Sequence, residues 1–164
     1  MGCQCFTSSR ELFEAARQAA IDADRCRRQL EAMEHRALSV GRPSLEAHVS
    51  GGGDPDRIGR DVAALVDREA ELCNRIESDY ALIDSACAVL YGSDGTSAGL
   101  ATLAPPSWSD AIYHRYLGLR TWAEVAAMMG VSVSYAQKMV RAAFDIADAN
   151  GLAATVAGTG LAEG

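Results

Sequence analysis

Apolar or small residues stand at Leu12, Ala16, Ala19, Ala23, Cys26, Leu30, Met33 and Ala37, spaced alternately by four and three. Such a seven-residue repeat keeps one line of a helix apolar, which predicts a helix with a coiled-coil seam. Ser8 or Ser9 is placed to cap its start, where Glu11 meets the positive end of the helix dipole. Gly41 and Pro43 stop it. A second helix carries the same pattern at Ile58, Val62, Leu65, Glu69, Leu72, Ile76, Asp79, Ile83, Ala86 and Leu90. Two of these seam positions are acidic: Glu69 is expected at a wet edge, and helical drift is expected to turn Tyr80 inward and Asp79 outward. Either helix alone would expose its stripe, so the two are expected to fold back as an antiparallel pair and to self-associate.

Between the two helices, RPSLEAHVSGGGDP (42–55) reads as a flexible connector, since three consecutive glycines make it costly to order. GSDGTSAGLATLAPP (92–106) breaks all periodicity and reads as a linker, and NGLAATVAGTGLAEG from Asn150 is poor in bulky residues and reads as a disordered tail. The expected organisation is a helical coiled-coil hairpin over 1–91 for oligomerisation, a linker over 92–106, a helix-turn-helix domain over 107–149 and a disordered tail over 150–164. The fold class is all-α.

The segment 107–149 has the densest signals. Ser107 or Ser109 can cap a helix through SDAIYHRYLG, with Ile112, Tyr116 and Leu117 on one side and Gly118 at its end. Thr121 caps a second helix, WAEVAAMM, with Glu124 completing a capping box and Gly130 ending it. Ser132 caps a third, built around Ala136, Met139, Val140, Ala143 and Phe144. Ala126 lies four residues before Gly130 and permits close approach of crossing helices, while Val131 plugs the turn. Val125, Met129, Ala136 and Met139 then fall at the buried offsets of a helix-turn-helix. Ser134, Gln137, Lys138 and Arg141 fall on the opposite face, the one that enters a major groove. Gln137 suits adenine, Lys138 or Arg141 suits guanine or phosphate, and Val133 suits a thymine methyl. With the cap Ser132 and with Tyr135, these form the expected DNA-binding set; Lys138 is the only lysine in the chain.

Charge tempers this picture. The net is -7 in 164 residues, yet 105–150 balances four basic side chains (Arg115, Arg120, Lys138, Arg141) against four acidic ones, and 10–38 balances six against six. The excess lies in 55–91, with four arginines against eight carboxylates, and in the remaining segments. Since phosphate neutralisation supplies much of the affinity of DNA readers, one neutral domain should bind weakly, and two copies with reading helices about 34 Å apart would recover the loss. Hydrophobic residues at 49 % with aromatics at 6 % fit close-packed helices. Trp108 and Trp122 are expected to anchor the small domain's core.

Other chemistry is thin. Five cysteines without CxxC spacing indicate neither a disulfide framework nor a zinc site, and Cys26 and Cys87 read as small core residues. His35, His48 and His114 are scattered, no nucleophile has a motif around it, and GGGDP lacks the lysine of a phosphate loop. The chain is therefore expected not to be an enzyme and to need no cofactor or metal. MGC at the start resembles an acylation signal, but Phe6 stands where that pattern wants Ser or Thr. No signal peptide or membrane-spanning run is present, so a cytoplasmic protein without membrane contact is expected.

RYLGLRTWAEVAAMMGVSVSYAQKMVRAAFDIAD, within which Arg115 to Phe144 carries the match, resembles the sigma-factor region 4 type of helix-turn-helix. It does so in the form found in phage late-transcription regulators of the ArpU and RinA kind, where a helical N-terminal half with a glycine-containing break precedes the motif. That resemblance implies a phage or prophage transcription regulator that binds double-stranded DNA through the third helix, with RNA polymerase as a candidate further partner. Val133 and Ser134 depart from the charged residues usual at the first turn of that helix, so base preference is not carried over. Nothing resembles the promoter-melting domain of a complete sigma factor. The alternatives are a small terminase subunit for phage DNA packaging and a protein-binding helical module.

Overall fold

The computed structural model describes residues 6–40, 55–95 and 97–158. Among these it is all-α: α1 (Ser9–Val40), α2 (Pro55–Tyr91), α3 (Leu100–Leu103), α4 (Pro106–Ile112), α5 (Trp122–Met129), α6 (Val133–Asn150) and α7 (Leu152–Ala157), with a π-helical turn over Tyr113–Leu117 after α4. The connector 42–54 lies outside the described residues. The chain divides into two compact units, Met1–Ile21 with Asp79–Gly164, and Asp22–Ser78. This differs from a boundary at residue 91, and the reason lies in where the seam side chains are buried.

In the first unit, Leu12, Phe13 and Ala16 of α1 and Ala86, Val89 and Leu90 of α2 belong to the same core as Ile112, Val125, Ala136 and Phe144. Phe13 stacks on Phe144 with centroids 5.5 Å apart, and Tyr116 meets both rings edge-on at 6.0 and 5.6 Å. Aromatic packing of this kind ties α1, the π-turn and α6 together. Trp108 and Trp122 pack against the core while staying partly exposed.

Two segments read from sequence as linker and tail are corrected here. Within 92–106, α3 forms and Leu100 is fully buried. Gly99 has φ 81°, and a Cβ there would sit 2.4 Å from the Gly92 nitrogen, so its glycine serves close backbone approach rather than looseness. In the tail, α7 forms over Leu152–Ala157, and Leu152 and Val156 pack on the core. Thr155 is buried, its hydroxyl donating to Gly151 O at 2.9 Å and accepting from Asn150 Nδ2 at 3.2 Å. Small side chains mark a tight fit as well as a loose chain, and composition alone does not separate the two.

The start of α1 follows the sequence. Ser8 Oγ accepts from Glu11 N at 3.2 Å, and Glu11 returns the contact by accepting from Thr7 N at 2.9 Å. The start of α4 does not. Its N-cap is Pro105, with proline again at the first helical position and no side-chain cap. Ser107 stays exposed, and Ser109 turns into the core with no partner for its hydroxyl among the described residues. Asp79 stays half-buried on its seam position and Tyr80 stays 46 % exposed, so the helix keeps its seven-residue register instead of drifting.

In the second unit, Ala23, Cys26 and Leu72 are buried, whereas Leu30 and Met33 are half-buried and Ala37 is exposed. Val62 and Leu65 remain more than half exposed, and Glu69 lies in solvent as expected. Ion pairs line the surface, among them Arg28 with Asp24 at 2.7 Å and Arg68 with Glu71 at 2.6 Å. No described helix is long and apolar enough to cross a membrane.

Candidate nucleic-acid interface

The candidate site is built on α5, the turn after it and α6. Thr121 has extended backbone geometry and caps α5: its Oγ1 accepts from Glu124 N at 3.3 Å, and its own N–H donates to Glu124 Oε2 at 2.7 Å. These contacts hold the Glu124 carboxylate below its ordinary pKa, chiefly through the Thr121 backbone N–H and then its hydroxyl. Arg120 adds an ion pair at 3.5 Å.

Gly130 ends α5 in the left-handed conformation, φ 66° and ψ 32°. Its N–H returns to the Ala126 and Ala127 carbonyls, and Val131 N donates to Ala126 O at 3.0 Å, which closes the turn. Three residues later α6 begins, its N-cap Ser132 accepting from Tyr135 N at 3.2 Å. Local chemistry alone thus sets both ends of this turn.

Burial sorts the residues of α6 cleanly. Ala136, Met139, Val140, Ala143 and Phe144 are buried, as are Val125 and Ala126 across from them. Met129 and the plug Val131 are half-buried and packed on that core. Every residue of the expected reading set is exposed: Ser132, Val133, Ser134, Tyr135, Gln137, Lys138 and Arg141. No hydrogen bond or ion pair engages the side chains of Gln137, Lys138 or Arg141 among the described residues. Two cations and an amide therefore share a face whose reverse side is sealed.

The acidic half of the same helix is arranged differently. Asp145 is exposed, and Asp148 Oδ1 accepts from the buried Ser9 N at 2.5 Å, at the positive end of α1. The carboxylates follow the cations along α6 and one of them is committed to α1.

Arg115 has a role that sequence reading did not find. Its guanidinium lies 5.1 Å from the Trp122 ring centroid and donates to Arg120 O at 2.8 Å. Its own carbonyl accepts from Arg17 Nη1 at 2.9 Å. A basic residue that the sequence showed only as part of the segment's charge balance is a brace across the loop from the π-turn to α5. The only available signal was the seven-residue spacing of Arg115 and Trp122, which has no meaning until the intervening loop, with Leu119 at φ 56°, reverses the chain.

His114 is half-buried and its ring lies against Tyr113 at 5.7 Å. Cys26 is buried, Cys87 half-buried and Cys73 exposed, whereas Cys3, Cys5 and His48 lie outside the described residues. Among the described residues no group of His, Cys, Asp or Glu is arranged to hold a metal ion. No family model, no curated protein and no solved structure matches the chain.

Proposed function

We propose that the protein reads duplex DNA with the exposed face of α6 and acts as a transcription regulator, as a phage or prophage factor of the resembled kind would. The observation that carries this reading is the joint exposure of Gln137, Lys138 and Arg141 on one side of a helix whose other side is core. An amide offers paired donor and acceptor to adenine, and two cations offer donors to guanine or phosphate. With Arg115 engaged elsewhere and Arg120 paired with Glu124, Lys138 and Arg141 supply about two phosphate contacts, so raising salt from 50 to 200 mM should weaken one copy roughly twelvefold. Such modest affinity calls for two copies acting together, joined by the residues of the long helices, in an intracellular setting where polymerase is also at hand.

Selection of bound sequences from a random duplex pool tests the reading: an enriched motif supports it, and an unenriched pool with no salt-dependent binding overturns it. A protein-binding role is the second reading. It is favoured by Met128, Val133 and Tyr135, apolar side chains left 55, 40 and 52 % exposed around the turn. Under that reading, substitution of Tyr135 would abolish partner capture while duplex binding was absent throughout.

A further inference from the structure

Within the second unit a cleft of about 170 Å³ opens between α1 and α2, lined by Leu30, Met33, Val62, Leu65 and Val66 among others, with Glu34 and Glu69 beside them. The two sides of this helix pair differ in chemistry. On one, Arg68 Nη2 reaches across to Gln29 Oε1 at 3.5 Å, and the same seven-residue register carries Arg36, Asp61 and Arg75. That side is polar and bridged. On the other, α2 presents Ala63 and Ala70 on one line and Val66 and Cys73 on the next, all exposed. There α1 contributes Arg27 and Glu34 on one line and Asp24, Glu31 and Leu38 on the next, with Leu38 76 % exposed and Arg27 also paired within the helix to Asp24 at 2.9 Å.

We propose that this second side docks onto the same side of a second copy, related by a two-fold axis, to close a four-helix bundle. Two registers point to a self-match. On α1, Arg27 and Glu34 have opposite charge and lie seven residues apart. An antiparallel copy therefore sets each Arg27 against Glu34 of the other chain, with the axis between residues 30 and 31. On α2, Ala63 and Ala70 interleave with Val66 and Cys73, so an antiparallel copy sets Val66 against Ala70 and Ala63 against Cys73, with the axis at residue 68. The Gln29–Arg68 contact places these two axis points near one level of the helix pair, to within about two residues or ~3 Å. Charge on one helix and side-chain size on the other fix the same symmetry. Small residues allow α2 close approach to its copy, and the half-open cleft with Leu38 beside it gains the cover that two helices cannot give themselves. Asp67 and Glu31 both fall near the axis and are exposed, so water screens their like charges.

This surface supplies the pairing that the proposed function calls for, but it stands without DNA. Sedimentation of the full chain alone should give a dimer at micromolar concentration. Glu34→Arg should weaken that dimer by about tenfold, as expected for two exposed ion pairs made repulsive, and Arg27→Glu added to it should restore the parent value. Ala63→Cys should yield an oxidised dimer cross-linked to Cys73. A monomer at about 100 µM, or a dimer indifferent to both Glu34→Arg and Val66→Glu with helicity retained, overturns the proposal. A monomer that still selects a duplex motif would sink this interface and leave the α6 reading standing; a dimer that binds no duplex would do the reverse.

Discussion

The backbone N–H of Ser9 donates to the Asp148 carboxylate at 2.5 Å, and the Ser9 hydroxyl donates to Phe144 O at 3.3 Å. The first turn of α1 is therefore fastened to the second half of the helix proposed to read DNA. Asp148→Ala leaves a buried N–H without its carboxylate partner and should cost about 1 kcal/mol, the usual scale for a lost helix cap. Urea denaturation measures this; an unchanged midpoint would show that water replaces the carboxylate without penalty.

Ser109 makes the opposite case. Its hydroxyl is buried and lacks a partner among the described residues, so Ser109→Ala removes an unsatisfied polar group and should be neutral or stabilising by up to about 1 kcal/mol. Had Ser109 capped α4, as sequence reading allowed, the same change would destabilise by a similar amount. Thermal unfolding of the variant separates the two by sign.

Gly130 takes a left-handed conformation, and a Cβ there would meet nothing within 4 Å. Gly130→Ala should therefore cost only the backbone term, about 1 kcal/mol, and Gly130→Asn less, because asparagine tolerates this region. A loss of several kcal/mol in denaturant titration would mean that the turn is crowded in a way the geometry does not show.

Glu11 and Glu124 both have pKa values lowered, first by backbone N–H donors, Thr7 and Thr121 respectively. A carboxylate lowered on folding stabilises above its unfolded pKa, and that contribution disappears as pH falls through the folded value. Stability should drop below about pH 4.5, and Glu11→Gln with Glu124→Gln should flatten part of that drop. Chemical denaturation at pH 7 and pH 3 checks it; parallel losses in parent and variant would assign the acid sensitivity to other groups.

On the proposed reading face, Gln137→Ala should shift sequence preference, changing discrimination at one base pair by about 1–3 kcal/mol. Arg141→Ala should instead weaken all duplexes alike and reduce the salt slope by about one. Titration of matched and mismatched probes at several salt concentrations distinguishes these patterns. If both variants bind every probe like the parent, α6 does not read DNA.

Features set by neighbouring residues were legible in the sequence: the Ser8 and Ser132 caps, the Thr121–Glu124 box, the Gly130 turn and the buried and exposed faces of α6 all follow local rules. Features set by distant partners were not. Nothing near Leu100 announces its burial, and nothing near Thr155 announces the Asn150 contact, because glycine and alanine serve loose chain and close packing equally. Likewise Leu12 and Leu90 carry the seam pattern of a helix pair while serving a core that also holds Phe144. Deleting residues 1–91 would consequently strip core side chains from the first unit, so oligomerisation has to be tested by surface substitutions instead.

Lys138 is the sole lysine of the chain, and it stands exposed on α6. Acylating reagents and acetyl-transferring enzymes that act on ε-amines thus have a single address on this molecule. A lone acetyl mark there would erase one positive charge from the face proposed to meet DNA, and a fluorophore attached by the same chemistry would report on that face alone among the side chains.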